Sequence, residues 1–213
     1  MKKKVTLLFL LLMLIPIVTW AQQAVDLGLS VKWGSCNLGA SEPEEYGDFY
    51  AWGETKLHPS FYWDDYKWSG DHGINGPFFK YNFDSDFGRV DHKTVLDAAD
   101  DVAHVKLGGK WRIPTEEEWD ELIERCTCTW TSDYNGTGVE GLIVTSKTTG
   151  NRIFLSAAGR HRGSFREWGG YYWSSSLATD HPAFAGNLYF SSGYIATSSQ
   201  ERCSGLSVRP VTK

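Results

Sequence analysis

The sequence contains none of the short motifs that mark the common enzyme classes. Gly-x-Ser-x-Gly, His-Glu-x-x-His and the phosphate-binding P-loop are all missing. Asp64-Asp65 and Asp100-Asp101 are carboxylate pairs, but a glycosidase needs two acids about 5–10 Å apart across a cleft, which neighbours in sequence do not establish. His161 stands between two arginines and is typical of a solvated loop. The sequence favours a non-enzymatic protein, and a secreted enzyme acting on polysaccharide or exported protein is the alternative.

Basic residues are few once the N-terminus is set aside. Lysines at positions 2–4, an apolar run over 5–18 and the small residue Ala21 predict a signal peptide at 1–21. The apolar run is too short to span a bilayer, and no cysteine follows the cut for a lipid anchor. Its removal reduces 21 basic residues to 18 against 26 acidic ones, a formal charge of −8. We therefore expect a secreted, cell-surface or periplasmic protein that binds no nucleic acid and inserts into no membrane.

The rest of the chain has no linker rich in proline or serine and no internal repeat, so residues 22–213 are expected to form a single domain. The full sequence has an aromatic content of 15%, with ten tryptophans and 22 glycines. Such a composition is typical of a loop-rich, mostly β protein.

Four cysteines are present, at Cys36, Cys126, Cys128 and Cys203. An exported chain with an even cysteine count predicts two disulfides. The single residue between Cys126 and Cys128 is shorter than the spacing of zinc knuckles, which argues against a zinc site. Three pairings are open from the residues alone.

The stretch KWRIPTEEEWDEL, at 110–122, predicts a capped helix and not an acidic catalytic site. Thr115 and Glu118 have the spacing of a capping box, and Glu116 and Glu117 fall in the first turn, where the helix dipole favours carboxylates. One apolar stripe follows at helical spacing: Trp119, Leu122, Ile123 and Cys126.

Further periodicity predicts a preceding helix over 94–106, with Asp100-Asp101 on its exposed side. Two apolar runs around Gly150-Asn151 predict a hairpin over 141–159. The alternating segment 25–33 predicts an N-terminal strand that pairs with the C-terminal run 206–209.

The segment 61–88 is dense in aromatic and aspartate residues and has little periodicity. Rings on a rigid loop with carboxylates at the edge suit sugar rings or peptides, so a glycan or surface protein is the expected partner. The predicted ligand-binding residues are Trp63, Asp64, Asp65, Tyr66 and Trp68. The alternative is that the loop packs its aromatic rings on the body of the protein.

Four oxygen-bearing residues in this segment alternate as in a calcium loop: Asn82, Asp84, Asp86 and Asp91. The EF-hand pattern is incomplete, because Gly88 occupies the fifth position of the loop, where an acid or amide is required. Calcium is the only cofactor that the sequence suggests, and an ordinary aspartate-rich turn is the alternative.

Ordered blocks across the chain resemble the Fibrobacter succinogenes major paralogous domain family of exported bacterial proteins. The blocks are VDLGLSVKWGSCNLGA, EEYGDFYAWGET, GGKWRIPTEEEWDELIERC, IFLSAAG, YYWSSS and LSVRPV. WRIPTEEEWDELI is also distantly similar to the formylglycine-generating enzyme family. Both resemblances imply an α+β, C-type-lectin-like fold with a small twisted antiparallel sheet, two helices, long loops and adjacent terminal strands.

The chemistry of these families does not carry over with the fold. Formylglycine-generating enzymes use two cysteines near the C-terminus, where this chain has only Cys203. The calcium-dependent sugar site of lectins is not matched either: Glu42-Pro43-Glu44 lies near the N-terminus, and serines follow Trp173. The major paralogous family implies the pairings Cys36–Cys126 and Cys128–Cys203. The resemblance implies the fold and no established activity, and the function we expect from the whole sequence is that of an exported, non-enzymatic adhesion or ligand-recognition domain.

Overall fold

The computed structural model describes residues 22–70, 72–163 and 165–213, so the predicted signal peptide lies outside the described residues. The fold is mixed α+β and consists mostly of sheet. The helices are α1 (Val102–Leu107) and α2 (Glu116–Arg125). The strands are β1 (Ala24–Val25), β2 (Lys32–Gly34), β3 (Phe49–Tyr50), β4 (Cys126–Thr131), β5 (Gly141–Ser146), β6 (Arg152–Ser156), β7 (Arg160–Arg162), β8 (Phe165–Glu167), β9 (Gly170–Leu177), β10 (Phe184–Ser191), β11 (Tyr194–Glu201), β12 (Leu206–Ser207) and β13 (Val211–Thr212).

The largest sheet has the order β11-β10-β9-β12-β3. All its pairs are antiparallel except β12 with β9, where Ser207 lies opposite Tyr172. A second sheet, β4-β5-β6, contains the predicted hairpin, which the structure confirms. The strands β7 and β8 form a separate two-stranded ribbon.

The two ends of the described chain meet in a third small sheet, β1-β2-β13, in which Val211 lies opposite Trp33. The predicted contact between terminal strands is therefore present, but its partner segment is not the predicted one: residues 206 and 207 pair with β3 and β9 instead. The fully buried Arg209 lies between the two pairings. Its guanidinium donates to the carbonyls of Gly34 and Phe154, at 2.9 and 2.7 Å, and fixes where the chain crosses from one sheet to the other.

Helix α2 begins as predicted. The hydroxyl of Thr115 accepts from the backbone N–H of Glu118 at 3.3 Å, and the carboxylate of Glu118 accepts from the N–H of Thr115 at 2.9 Å. The same carboxylate holds Arg112 through two short contacts. Trp119 and Leu122 are buried on the inner face. The acidic cluster is therefore mainly a helix start, as the capping pattern predicted.

We expect Thr115→Ala to lower the free energy of unfolding by about 0.5–2 kcal/mol, because the first turn loses its cap. Chemical denaturation of the variant measures the loss. Glu117→Gln is the matched control, since Glu117 lies in the same turn and takes no part in the cap; it should change stability by less than about 0.5 kcal/mol. A larger loss from the control would contradict the assignment.

The predicted helix over 94–106 was wrong in its first half, because α1 begins only at Val102. Asp101 is its N-cap and accepts from the N–H groups of His104 and Ile113, at 3.0 and 2.8 Å. Because the buried carboxylate of Asp101 caps α1 and also bonds to the backbone of Ile113, the helix begins at this point and does not extend further toward the N-terminus. Val95, in the part of the predicted helix that does not form, is 47% exposed.

Asp100 was also misplaced by the sequence pattern, since it is buried and not on an exposed helix face. Its carboxylate accepts from the Tyr81 hydroxyl at 2.7 Å and from the ammonium groups of Lys80 and Lys67, at 2.5 and 3.2 Å. These contacts tie the segment 61–88 to the start of α1.

The four cysteines are free thiols in the structure, in contrast to the predicted pairs Cys36–Cys126 and Cys128–Cys203. Cys126 and Cys128 pack in the core beneath α2, whereas Cys203 belongs to a separate cluster with Phe61. The thiol of Cys36 instead contacts the carbonyl of Ser41 at 3.5 Å. Burial raises the pKa of Cys128 to about 11, which favours the protonated thiol at neutral pH.

Candidate functional site

An aromatic groove of about 500 Å³ lies between the start of the segment 61–88 and the ribbon of β7 and β8. Aromatic side chains form its walls and charged side chains its rim. Its lining residues are Phe61, Tyr62, Trp63, Arg162, Gly163, Phe165, Glu167, Glu201 and Cys203.

Main-chain hydrogen bonds hold the two walls together. The N–H of Gly163 donates to the carbonyl of Phe61 at 2.8 Å, and His161 and Gly205 exchange two bonds of 2.9 Å. Gly163 has φ +60°, and a Cβ there would lie 2.5 Å from the ring of Tyr62. Only glycine therefore lets the ribbon approach the aromatic wall this closely.

Two of the rings in the groove are open to solvent. Phe165 is 77% exposed and Tyr62 is 50% exposed, whereas Phe61 is buried. Trp63 is half-buried, with its ring centroid 5.6 Å from that of Tyr66 and 5.9 Å from that of Phe78. Exposed rings on a backbone held by hydrogen bonds present an apolar face without a large ordering cost on binding.

Ion pairs of both signs border the rings. Arg162 pairs with Glu201 at 2.7 Å, which joins the ribbon to the end of β11. Arg160 holds Glu167 through two contacts of 2.8 and 3.0 Å, across the pair β7–β8. These hydrogen bonds lower the pKa of Glu167 below its ordinary value, so it is an acceptor at neutral pH. The groove thus offers donors and acceptors around an apolar floor.

The structure brings only one of the five predicted ligand residues, Trp63, into the groove. Asp64 and Asp65 are exposed on the short 3-10 turn Trp63–Asp65, outside the groove lining. Tyr66 is buried, and its hydroxyl donates to the carbonyl of Trp52 at 2.7 Å. Trp68 is half-buried, and its indole N–H donates to Gly53 at 3.1 Å. The last two residues serve the packing of the loop.

A buried arginine explains that packing. Arg202 is fully buried, and its guanidinium lies 5.0–5.3 Å from the ring centroids of Trp52, Tyr66 and Phe78. It donates to the carbonyls of Lys80 and Tyr81, both at 3.1 Å. The later part of the segment 61–88 is therefore packed on the protein body, and only its start faces the groove.

The aspartates of the suggested calcium loop are engaged in local turns. Asp84 accepts from the N–H of Asp86 at 2.9 Å, and Asn82 accepts from that of Asp84 at 3.0 Å. Asp91 accepts from Tyr81 and Asn82 N–H groups, both at 3.0 Å. In the described ranges no three His, Cys, Asp or Glu side chains form a group that could hold a metal ion. Calcium binding at this turn stays a prediction.

Sequence reasoning missed most of the groove because it took the residues around His161 for a solvated loop. His161 lies in β7, with its ring centroid 4.4 Å from that of Phe49 and 5.8 Å from that of Phe61. Burial, together with the nearby Arg166, lowers its pKa below the ordinary value. The available signal was the sequence RHRGSFRE, two short charged runs about a glycine, which is a hairpin pattern.

Comparison with protein-family models, with curated proteins and with solved structures finds no match for this chain. In the part of the chain that the structure describes, neither helix is long and apolar enough to cross a membrane.

Proposed function

We propose that this chain is an exported ligand-recognition domain of the bacterial surface or periplasm and that the aromatic groove binds a glycan. The observation that carries the proposal is the pair of solvent-open rings, Tyr62 and Phe165. They lie beside two ion pairs, Arg162–Glu201 and Arg160–Glu167. A sugar ring has an apolar face that stacks on aromatic side chains and hydroxyl groups that bond to charged rims.

The proposed fold is C-type-lectin-like. Three features support it: two helices beside a mostly antiparallel sheet, the pairing of β13 with β2 near the chain ends, and a long irregular segment over 61–88. The export that we propose rests on the signal-peptide pattern of residues 1–21. The binding test described below also distinguishes a glycan from a surface protein as the ligand.

An enzyme acting on polysaccharide is the second candidate, because two carboxylates, Glu167 and Glu201, line the groove. A general acid needs a raised pKa, as burial or a neighbouring carboxylate provides. The guanidinium of Arg160 acts on Glu167 in the opposite direction. Release of reducing ends from a bound polysaccharide, abolished by Glu201→Gln, would favour the enzyme over the binding protein.

The proposed function is tested with a glycan and protein array probed with residues 22–213. We expect Phe165→Ala to weaken binding of the captured glycan by about tenfold or more and to leave the melting temperature nearly unchanged, because an exposed ring contributes little to folding. Isothermal titration calorimetry measures the affinity.

Tyr194→Ala is the matched control. Tyr194 is 58% exposed, lies at the start of β11 and does not line the groove. It should bind the glycan as the unaltered chain does. Equal affinities for Phe165→Ala and the unaltered chain would contradict the proposal, as would an array on which only proteins are captured.

A further inference from the structure

The strand β11 is an open edge of the largest sheet. It has eight residues, and in the described chain it pairs only with β10. Natural sheets usually protect such edges with lysines, proline, bulges or a covering loop. The sequence YIATSSQE has no lysine and no proline, and its pairing with β10 is unbroken from Tyr194 to Glu201. This edge therefore lacks three of these features: lysine, proline and a bulge.

Three residues direct their main-chain groups outward. The β10–β11 hairpin has a two-residue loop closed by the pair Ser191 and Tyr194. Such a closing pair is hydrogen-bonded, and bonded pairs then alternate with non-bonded pairs along the ladder. The N–H and C=O groups of Ile195, Thr197 and Ser199 therefore point away from β10. Within the described residues none of these groups has a protein hydrogen-bond partner.

An acidic depression of about 620 Å³ adjoins this edge. Ser198 and Ser199 form one side of it. Four carboxylates also line it, at Glu116, Glu117, Asp120 and Asp180. In the described ranges none of the four is in an ion pair. Burial, and then the charges of Asp120 and Glu117, raise the pKa of Glu116, so the cluster is short of positive charge.

We propose that β11 accepts an extended segment of another protein as a sixth strand and that lysine or arginine side chains of this segment enter the acidic depression. Residues opposite one another in an antiparallel ladder point to the same face of the sheet. Ile195 packs against the core that contains Trp119, and the Thr197 hydroxyl donates to Asp120 at 2.9 Å, so the outward-bonding positions face α2. The basic side chains of the guest strand therefore belong to the residues whose main chain bonds to β11.

Charge decides between this occupant and a second copy of the chain. Two copies joined antiparallel through β11 would be related by a two-fold axis normal to the sheet, which keeps both α2 helices on one face. The acidic residues of both copies, such as Asp120, would then lie close together on the same face of the joined sheet. Like charges across an interface oppose association, whereas basic residues neutralise them.

The probe for the test is a nine-residue peptide with blocked ends, in which lysine alternates with threonine. We expect it to bind residues 22–213 and to slow amide hydrogen exchange at Ile195, Thr197 and Ser199. The peptide with glutamate in place of lysine should not bind. Glu117→Gln combined with Asp120→Asn should weaken binding of the lysine peptide about tenfold or more.

N-methylated peptides separate strand pairing from simple charge attraction, and they leave the fold of the protein untouched. Methylation of the lysine amides removes the donors that face β11 and should abolish binding, whereas methylation of the threonine amides should not. Equal binding of both methylated peptides would overturn the added strand. A dimer that protects the same three amides without peptide would overturn the foreign partner and assign the edge to a second copy.

Discussion

Arg202→Met is expected to lower the free energy of unfolding by about 3–5 kcal/mol, because the buried carbonyls of Lys80, Tyr81 and Pro182 lose their donor at about 1–3 kcal/mol each. Arg202→Lys should recover little of this loss, since an ammonium lacks the planar fork that reaches several carbonyls at once. Urea denaturation followed by tryptophan fluorescence measures both variants.

The control for this prediction is Arg125→Met, which removes an exposed arginine paired with Glu121 at 3.4 Å. It should change stability by less than about 1 kcal/mol. If Arg202→Met were no more costly than this control, Arg202 would not be the residue that holds the segment 61–88 against the sheet. If the Arg202→Met variant still folds, we expect release of the segment 61–88 to disrupt the aromatic groove as well.

Trp119→Ala should destabilise the protein by about 3–5 kcal/mol, the usual cost of removing a large buried ring. Trp119 is fully buried, its ring centroid is 4.5 Å from that of Trp33, and its indole N–H donates to the carbonyl of Trp173 at 3.2 Å. Differential scanning calorimetry measures the loss. Trp168→Ala is the matched control, since Trp168 is 80% exposed; comparable losses from both would show that the core beneath α2 is not where the structure places it.

Elements that depend on local sequence were predictable. Thr115 and Glu118 define the start of α2 within four residues, and the runs on either side of Gly150 define a hairpin in the same way. In both cases the residues that decide the structure are neighbours in the chain, so their spacing is visible without any knowledge of tertiary contacts.

Apart from the contact between the chain ends, elements that depend on distant contacts were not predictable. The prediction of a helix over 94–106 was wrong in its first half because Asp101 bonds to Ile113 across the fold. Tyr66, predicted to contact a ligand, is buried, and its hydroxyl accepts from Arg202. The groove itself joins positions about a hundred residues apart, through the contact of Phe61 with Gly163. Neither the aromatic content of one segment nor the charges of the other indicates that they meet.

The central claim is that Tyr62 and Phe165 form the contact surface for a glycan, and the most direct measurement is solution NMR of residues 22–213 titrated with the saccharide captured on the array. We predict that the ring signals of Tyr62 and Phe165 and the amide signal of Gly163 shift together, while those of Tyr194 do not move. Shifts confined to Tyr194 or to the turn of Asp84 and Asp86, with the groove signals unchanged, would contradict the account.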